Sequence, residues 1–220
     1  MKIITTLKIK VVLSAVMILL TTTITAYATD PPLPSQAEVD AYKAAKALYM
    51  QSLTATGVQD PEETDPPPTQ DELRQQAITA FNDFLTTYTE SQVRDSAQYY
   101  IGLSYFGLTD HANAKAAFDL VVSGYPDSLL VDDALYQIGF IDFTLGDYVA
   151  AQSEFEGVIT DYEANQEEKL THKVPFAYFM VGECLRMQDD MPAARAKYNE
   201  VIVKFPAHSQ AGRAYKRLSP

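Results

Sequence analysis

The 220 residues hold 29 Asp and Glu against 17 Lys and Arg, a net charge of −12. A surface that acidic repels the phosphates of nucleic acid and of anionic lipid head groups, and it suits basic or neutral partners. The sole cysteine, Cys184, excludes an intramolecular disulfide.

Residues 1–28 read as an export signal. Lys2, Lys8 and Lys10 come without an acid, Val11 to Leu20 is almost wholly apolar, and Ala26-Tyr27-Ala28 places small residues at the cleavage site. The apolar run is well short of the about 20 residues that span a bilayer, although an uncleaved anchor from near Ile9 is the competing reading. No cysteine stands directly after the site, so the expected product is periplasmic or secreted, unlipidated and without stable membrane insertion. Removing 28 of the 220 residues leaves 192, enough for one elongated domain. The 14 Lys and Arg that remain, once the three leader lysines go from 17, face 29 acids for a charge of −15.

Residues 29–35 form a short Pro-rich lead, expected to be disordered. Ala41, Ala45, Leu48 and Tyr49 then give helical spacing over 36–54. The acidic, Pro-rich stretch at 55–70 breaks that spacing and reads as an exposed loop inside a repeat. A helix resumes near Asp71, with Ala77, Phe81, Phe84 and Tyr88 along one side.

From there the pattern recurs. Ala97–Gly102–Ala114–Phe118, Ala134–Gly139–Ala151–Phe155 and Ala177–Gly182–Ala194–Tyr198 share one spacing: Gly five after Ala, a second Ala twelve on, an aromatic four beyond. Small residues at fixed places let paired helices approach closely, and the aromatics fill the space between pairs. Ala77 and Phe81 lie 37 residues before Ala114 and Phe118, which marks an additional divergent repeat. The joints recur too. Tyr88-Thr89-Glu90-Ser91 and Tyr125-Pro126-Asp127-Ser128 end one helix, and their serines are expected to cap the next. Phe205-Pro206 follows the third repeat, with Ser209 as the expected cap of a last helix over 210–218, whose Arg213, Lys216 and Arg217 read as a solubilising face.

Tight turns join the helices inside each repeat: Thr109-Asp110-His111, Gly146-Asp147-Tyr148 and Asp189-Asp190-Met191-Pro192. Gly139 to Gly182 spans 43 residues rather than 37, and the polar extra residues around 165–173 should bulge outward.

These residues resemble tetratricopeptide repeats. Ile101-Gly102, Tyr105, Ala114, Phe118 and Pro126 match the family pattern. So do Ile138-Gly139, Ala151 and Phe155, although Asp142 stands for an aromatic and Glu163 for Pro. Val181-Gly182, Ala194, Tyr198 and Pro206 complete the third copy. The Tyr/Phe-Pro joints are similar to those of exported bacterial members: the Tol–Pal-associated cell-division coordinator and the tetratricopeptide lipoprotein of outer-membrane barrel assembly. The chain departs from the first in lacking sustained N-terminal heptads, and from the second in lacking a lipidated cysteine. The resemblance implies an all-α, right-handed tetratricopeptide solenoid: a divergent repeat at 36–90, repeats at 91–127, 128–164 and 174–207, and a cap at 209–218.

In such arrays one face of the first helices lines a concave groove. Offsets of three before, one after and four after each Gly place Tyr99, Leu103, Phe106, then Tyr136, Phe140, Phe143, then Phe179, Glu183, Arg186 on that face. Rings with a few polar groups suit a peptide groove, having large contact area at low ordering cost. Tyr99, Phe106, Tyr136 and Phe143 fit equally a role between adjacent helices. Glu183 and Arg186 are expected at the exposed groove, or paired with one another.

Other candidates carry little chemistry. Glu168 and His172 share a helical spacing but lack a third metal ligand. His111 and His208 sit at turns without a nucleophile nearby. Asp132-Asp133 and Asp189-Asp190 lie near helix starts, where carboxylates favour the dipole. Cys184, beside a packing glycine, reads as a buried structural thiol. No nucleophile elbow, phosphate loop or HExxH pattern occurs. The expected function is therefore a non-catalytic scaffold that binds a protein or peptide in the groove, with no cofactor, metal or catalytic residue assigned. Cell-envelope organisation or division is the implied setting. An outer-membrane assembly factor and an enzyme accessory subunit are the alternatives.

Overall fold

A computed structural model describes residues 33–55, 67–164 and 173–219. The expected export signal at 1–28, most of the 29–35 lead, most of the Pro-rich loop, the Glu168/His172 pair and most of the 165–173 insertion lie outside the described residues. Two compact units are distinguished, 1–35 and 36–220; of the first, the described residues 33–35 carry no regular secondary structure.

The second unit is all helix among the described residues: α1 (Gln36–Thr54), α2 (Gln70–Thr87), α3 (Arg94–Gly107), α4 (His111–Gly124), α5 (Val131–Leu145), α6 (Tyr148–Ala164), α7 (Val174–Met187), α8 (Met191–Lys204) and α9 (Ser209–Leu218). Each helix packs on the next in the chain, so α1/α2, α3/α4, α5/α6 and α7/α8 are hairpins that stack in order, closed by α9. This is a tetratricopeptide-like α-solenoid.

The recurring small residues explain the stacking. Ala97, Ala134, Ala177, Ala114, Ala151 and Ala194 are fully buried, as are Phe118, Phe155 and Tyr198. A Cβ added at Gly102 would lie 2.6 Å from the Phe118 ring, at Gly139 3.0 Å from Phe155, and at Gly182 2.6 Å from Tyr198. The glycines thus let each ring lie directly on the first helix of its own hairpin. Burying each ring contributes about 1.5–3 kcal/mol.

Helix starts are set by carboxylates one turn ahead of the packing layer. Asp110, Asp147 and Asp190 each stand eight residues after the glycine. Their side chains accept from the backbone N–H of Asn113 (3.2 Å), Ala150 (3.0 Å) and Ala193 (3.0 Å). Such a cap contributes about 1 kcal/mol. The residue before each is left-handed: Thr109 at φ 58°, Gly146 at 86° and Asp189 at 62°. In α2, Thr69 and Glu72 form a reciprocal capping box.

The joints differ from the sequence reading. Ser91 and Ser128 do not cap α3 and α5. Their hydroxyls accept from Val93 N–H and Leu130 N–H, inside the turns that precede the helices, because the chain needs two more residues before it can enter the next helix. Ser209 does not cap α9 either. His208 does, its Nδ1 accepting from Gln210 N–H at 3.2 Å.

The two departures of the middle repeat are compensated by ion pairs. Buried Asp142 accepts from Lys115 Nζ with both oxygens, at 2.8 and 2.7 Å. Glu163 accepts from the Tyr178 hydroxyl at 2.6 Å and from Lys204 Nζ at 2.9 Å.

Candidate functional site

One aromatic stack repeats through the array. The ring three residues before each glycine lies against the ring sixteen after it: Tyr99 on Phe118 (5.3 Å between centroids), Tyr136 on Phe155 (5.3 Å) and Phe179 on Tyr198 (5.7 Å). These first-helix rings therefore serve the packing layer with one face. Tyr99 and Tyr136 remain half-buried, whereas Phe179 is buried. Burial raises the hydroxyls of Tyr99 and Tyr136 above the ordinary phenol range.

Along the same face, Phe140 bridges the hairpins, with its ring 6.0 Å from Phe106 and 6.4 Å from Tyr136. Leu103, Phe106 and Phe143 are half-buried beside it. A cavity of about 370 Å³ opens between α5, α7 and α9. Its apolar wall is Tyr136, Phe140, Phe143, Phe179 and Met180; its polar wall is Glu183 with Arg213, Lys216 and Arg217 of α9. Five of the nine residues placed on the groove face from sequence thus meet at one cavity. Tyr99, Leu103 and Phe106 sit one hairpin earlier, against the core between α3, α4 and α5, and Arg186 lies outside the lining.

The expectation that Glu183 is exposed is wrong: it is 5 % exposed. Its carboxylate accepts from Arg217 (2.7 and 2.9 Å), Arg186 (3.0 Å) and the Tyr198 hydroxyl (2.6 Å). Burial pushes this carboxyl up, and the three donors together outweigh it, holding it below the ordinary glutamate range. The pairing with Arg186 does occur, but Arg217 is the stronger commitment. So α9 is more than a solubilising cap: it supplies three of the residues that line the cavity.

Met180, Arg213, Lys216 and Arg217 are lining residues that the sequence reading missed. The signal was available for the lysine. Ala214 follows Ala177 by 37 residues, so α9 is in register as the next first helix and Lys216 takes the place held by Tyr99, Tyr136 and Phe179.

Among the described residues, nothing that lines the cavity pairs a nucleophile with a base. Burial, with Glu183 adding to it, raises the Cys184 thiol to about 12 and keeps it protonated. Among the described residues no three His, Cys, Asp or Glu gather as a metal set, and no helix is long and apolar enough to cross a membrane.

A sequence model of the tetratricopeptide repeat matches residues 96–128 and 176–208. Those two stretches are similar to tetratricopeptide repeats. The stretch between the two matches holds both departures, Asp142 and Glu163. Among solved structures, MamA from Desulfovibrio magneticus RS-1 (its segment from 41 to the end) superposes with a TM-score of 0.52 at 15 % identity, over 77 % of this chain and 78 % of that one. A further MamA crystal structure gives 0.51 at 17 % identity, over 77 % and 85 %. At these identities the likeness bears on the fold alone. No curated protein matches the chain by sequence.

Proposed function

We propose that this chain is an exported, non-catalytic bacterial scaffold that holds a segment of a partner protein in the groove formed by α3, α5, α7 and α9. The observation that carries this reading is the half-buried wall of Tyr136, Phe140 and Phe143 facing a cavity of about 370 Å³. Rings already fixed by packing offer a partner contact area without further ordering. Repeat arrays generally present such extended surfaces.

Export rests on the leader chemistry at 1–28, and a role in envelope organisation or division rests on the resemblance of the joints to exported members. The test is a photo-crosslinking phenylalanine analogue placed at position 143 in intact cells, followed by mass spectrometry and N-terminal sequencing of the mature chain. A division or Tol component crosslinked to a chain that begins at Thr29 supports the reading. A barrel-assembly component would move the assignment to outer-membrane assembly. An unprocessed N-terminus in the cytoplasm would end the export claim.

A further inference from the structure

We infer that the occupant of the groove is an acidic segment of the partner, with a bulky apolar side chain on Phe140 and Phe143 and carboxylates meeting Arg213 and Lys216. The inference deepens the partner-groove reading and rests on it. The chain as a whole is acidic, at −12, yet the ten residues of α9 contain Arg213, Lys216 and Arg217 and no acid. Among the described residues, Glu183 is the single acid of the cavity lining, against three cations. Arg217 is committed to it, and Arg186 neutralises it from the other side. Arg213 and Lys216 are left over. Arg213 lies 5.5 Å from the Phe179 ring, and Lys216 forms no ion pair among the described residues.

The cavity is therefore net positive within a negative chain. Charges beyond about 8 Å are largely screened at physiological ionic strength, so these two cations, and not the remote surface, set the sign that a docked segment meets. Being three residues apart on one helix, Arg213 and Lys216 share a face. They suit two side-chain carboxylates along an extended segment better than one terminal carboxylate. The basic partner suggested by overall charge would place like charges together at this spot.

The probes are three fluorescein-labelled, C-terminally amidated peptides: Gly-Glu-Phe-Asp-Glu-Gly, Gly-Lys-Phe-Lys-Lys-Gly and Gly-Glu-Ala-Asp-Glu-Gly. Each is titrated with the mature protein by fluorescence anisotropy. The acidic phenylalanine peptide is expected to bind about 10-fold or more tightly than either control. The double variant Arg213→Glu/Lys216→Glu, verified as folded by circular dichroism, should reverse the preference toward the lysine peptide. Lys216→Glu alone, at a side chain with no ion pair among the described residues, should give part of that effect even if the double variant unfolds. Equal binding of the acidic and basic phenylalanine peptides, both lost in Phe143→Ala, would overturn the acidic preference and leave the groove reading standing. Binding that survives Phe143→Ala unchanged would overturn the groove reading as well. No binding of the acidic phenylalanine peptide overturns this inference.

Discussion

Arg217 reaches from the last helix to Glu183 and donates to both carboxylate oxygens, Nε–H to Oε1 at 2.7 Å and Nη2–H to Oε2 at 2.9 Å. The contact ties the cap to the first helix of the third repeat across 34 residues of chain. It also neutralises the acid that lines the cavity.

Glu183→Ala leaves Arg186 and the buried Tyr198 hydroxyl without their acceptor, and should cost about 2 kcal/mol, since the two arginines are partly solvated. The pH dependence follows from the depressed carboxyl. Its contribution is complete above the unfolded glutamate value of about 4.3 and fades as pH falls through the lower folded value. Urea unfolding from pH 7 to pH 3 should show the wild type losing this increment in acid. Glu183→Gln should begin lower and flatten over that range; an identical slope would remove Glu183 as its source.

Two glycine substitutions should have opposite signs. At Gly102 the new methyl would sit 2.6 Å from the fully buried Phe118 ring. Overpacking of about 1–3 kcal/mol then exceeds the gain of about 1 kcal/mol in helix propensity. Within α9, Gly212 has nothing within 4 Å of the same position, so Gly212→Ala should stabilise by up to about 1 kcal/mol. Thermal unfolding of both variants checks the signs.

The turns inside the repeats make a second contrasting pair. Thr109 is a β-branched residue at φ 58°, and Gly146 holds the equivalent place at 86°. Left-handed backbone costs a side-chain-bearing residue about 1–2 kcal/mol. Thr109→Gly should therefore raise stability by somewhat less than 1 kcal/mol, after the loss of unfolded-state restriction, whereas Gly146→Ala should lower it by about 1 kcal/mol. Equal midpoints for either variant and the wild type would refute the argument.

The glycine, alanine and ring positions of the three clear repeats were legible because packing repeats with the chain: each ring finds its glycine sixteen residues back. The Asp caps at 110, 147 and 190 were equally periodic, but their role depends on the left-handed residue before each, which composition does not show except at Gly146. Glu183 could not be placed, because its donors Tyr198 and Arg217 lie 15 and 34 residues away and belong to three-dimensional neighbours. Its burial is a tertiary fact. The cations of α9 were visible but read as a solubilising face, although the register through Ala214 places Lys216 level with Tyr99, Tyr136 and Phe179. What hid the charged rim is that the row was found by offsets from the packing glycines, and the place five after Ala214 is Ser219 rather than Gly.

Cys184 is fully buried and its thiol is held up at about 12. At pH 8 it should resist iodoacetamide in the folded protein and react completely in guanidinium chloride, because only the thiolate attacks. Mass spectrometry of both reactions decides; rapid labelling of the folded chain would mean that the hairpin α7/α8 opens readily.

Tyr99 and Tyr136 separate stability from binding because they occupy equivalent places in neighbouring repeats. Each stacks on its buried partner at 5.3 Å, so each replacement by Ala removes a similar amount of packing and should cost about 2–3 kcal/mol, below the full core value because both rings are half-exposed. Only Tyr136 lines the cavity. Tyr136→Ala should therefore also weaken capture of the crosslinked partner by about 10-fold or more, while Tyr99→Ala at matched stability should leave it within about 3-fold, since that ring lies outside the lining. Calorimetry fixes the stability of each variant and anisotropy its binding. If the two variants lose partner equally at equal stability, the cavity has no privileged role and the whole row of first helices shares the contact.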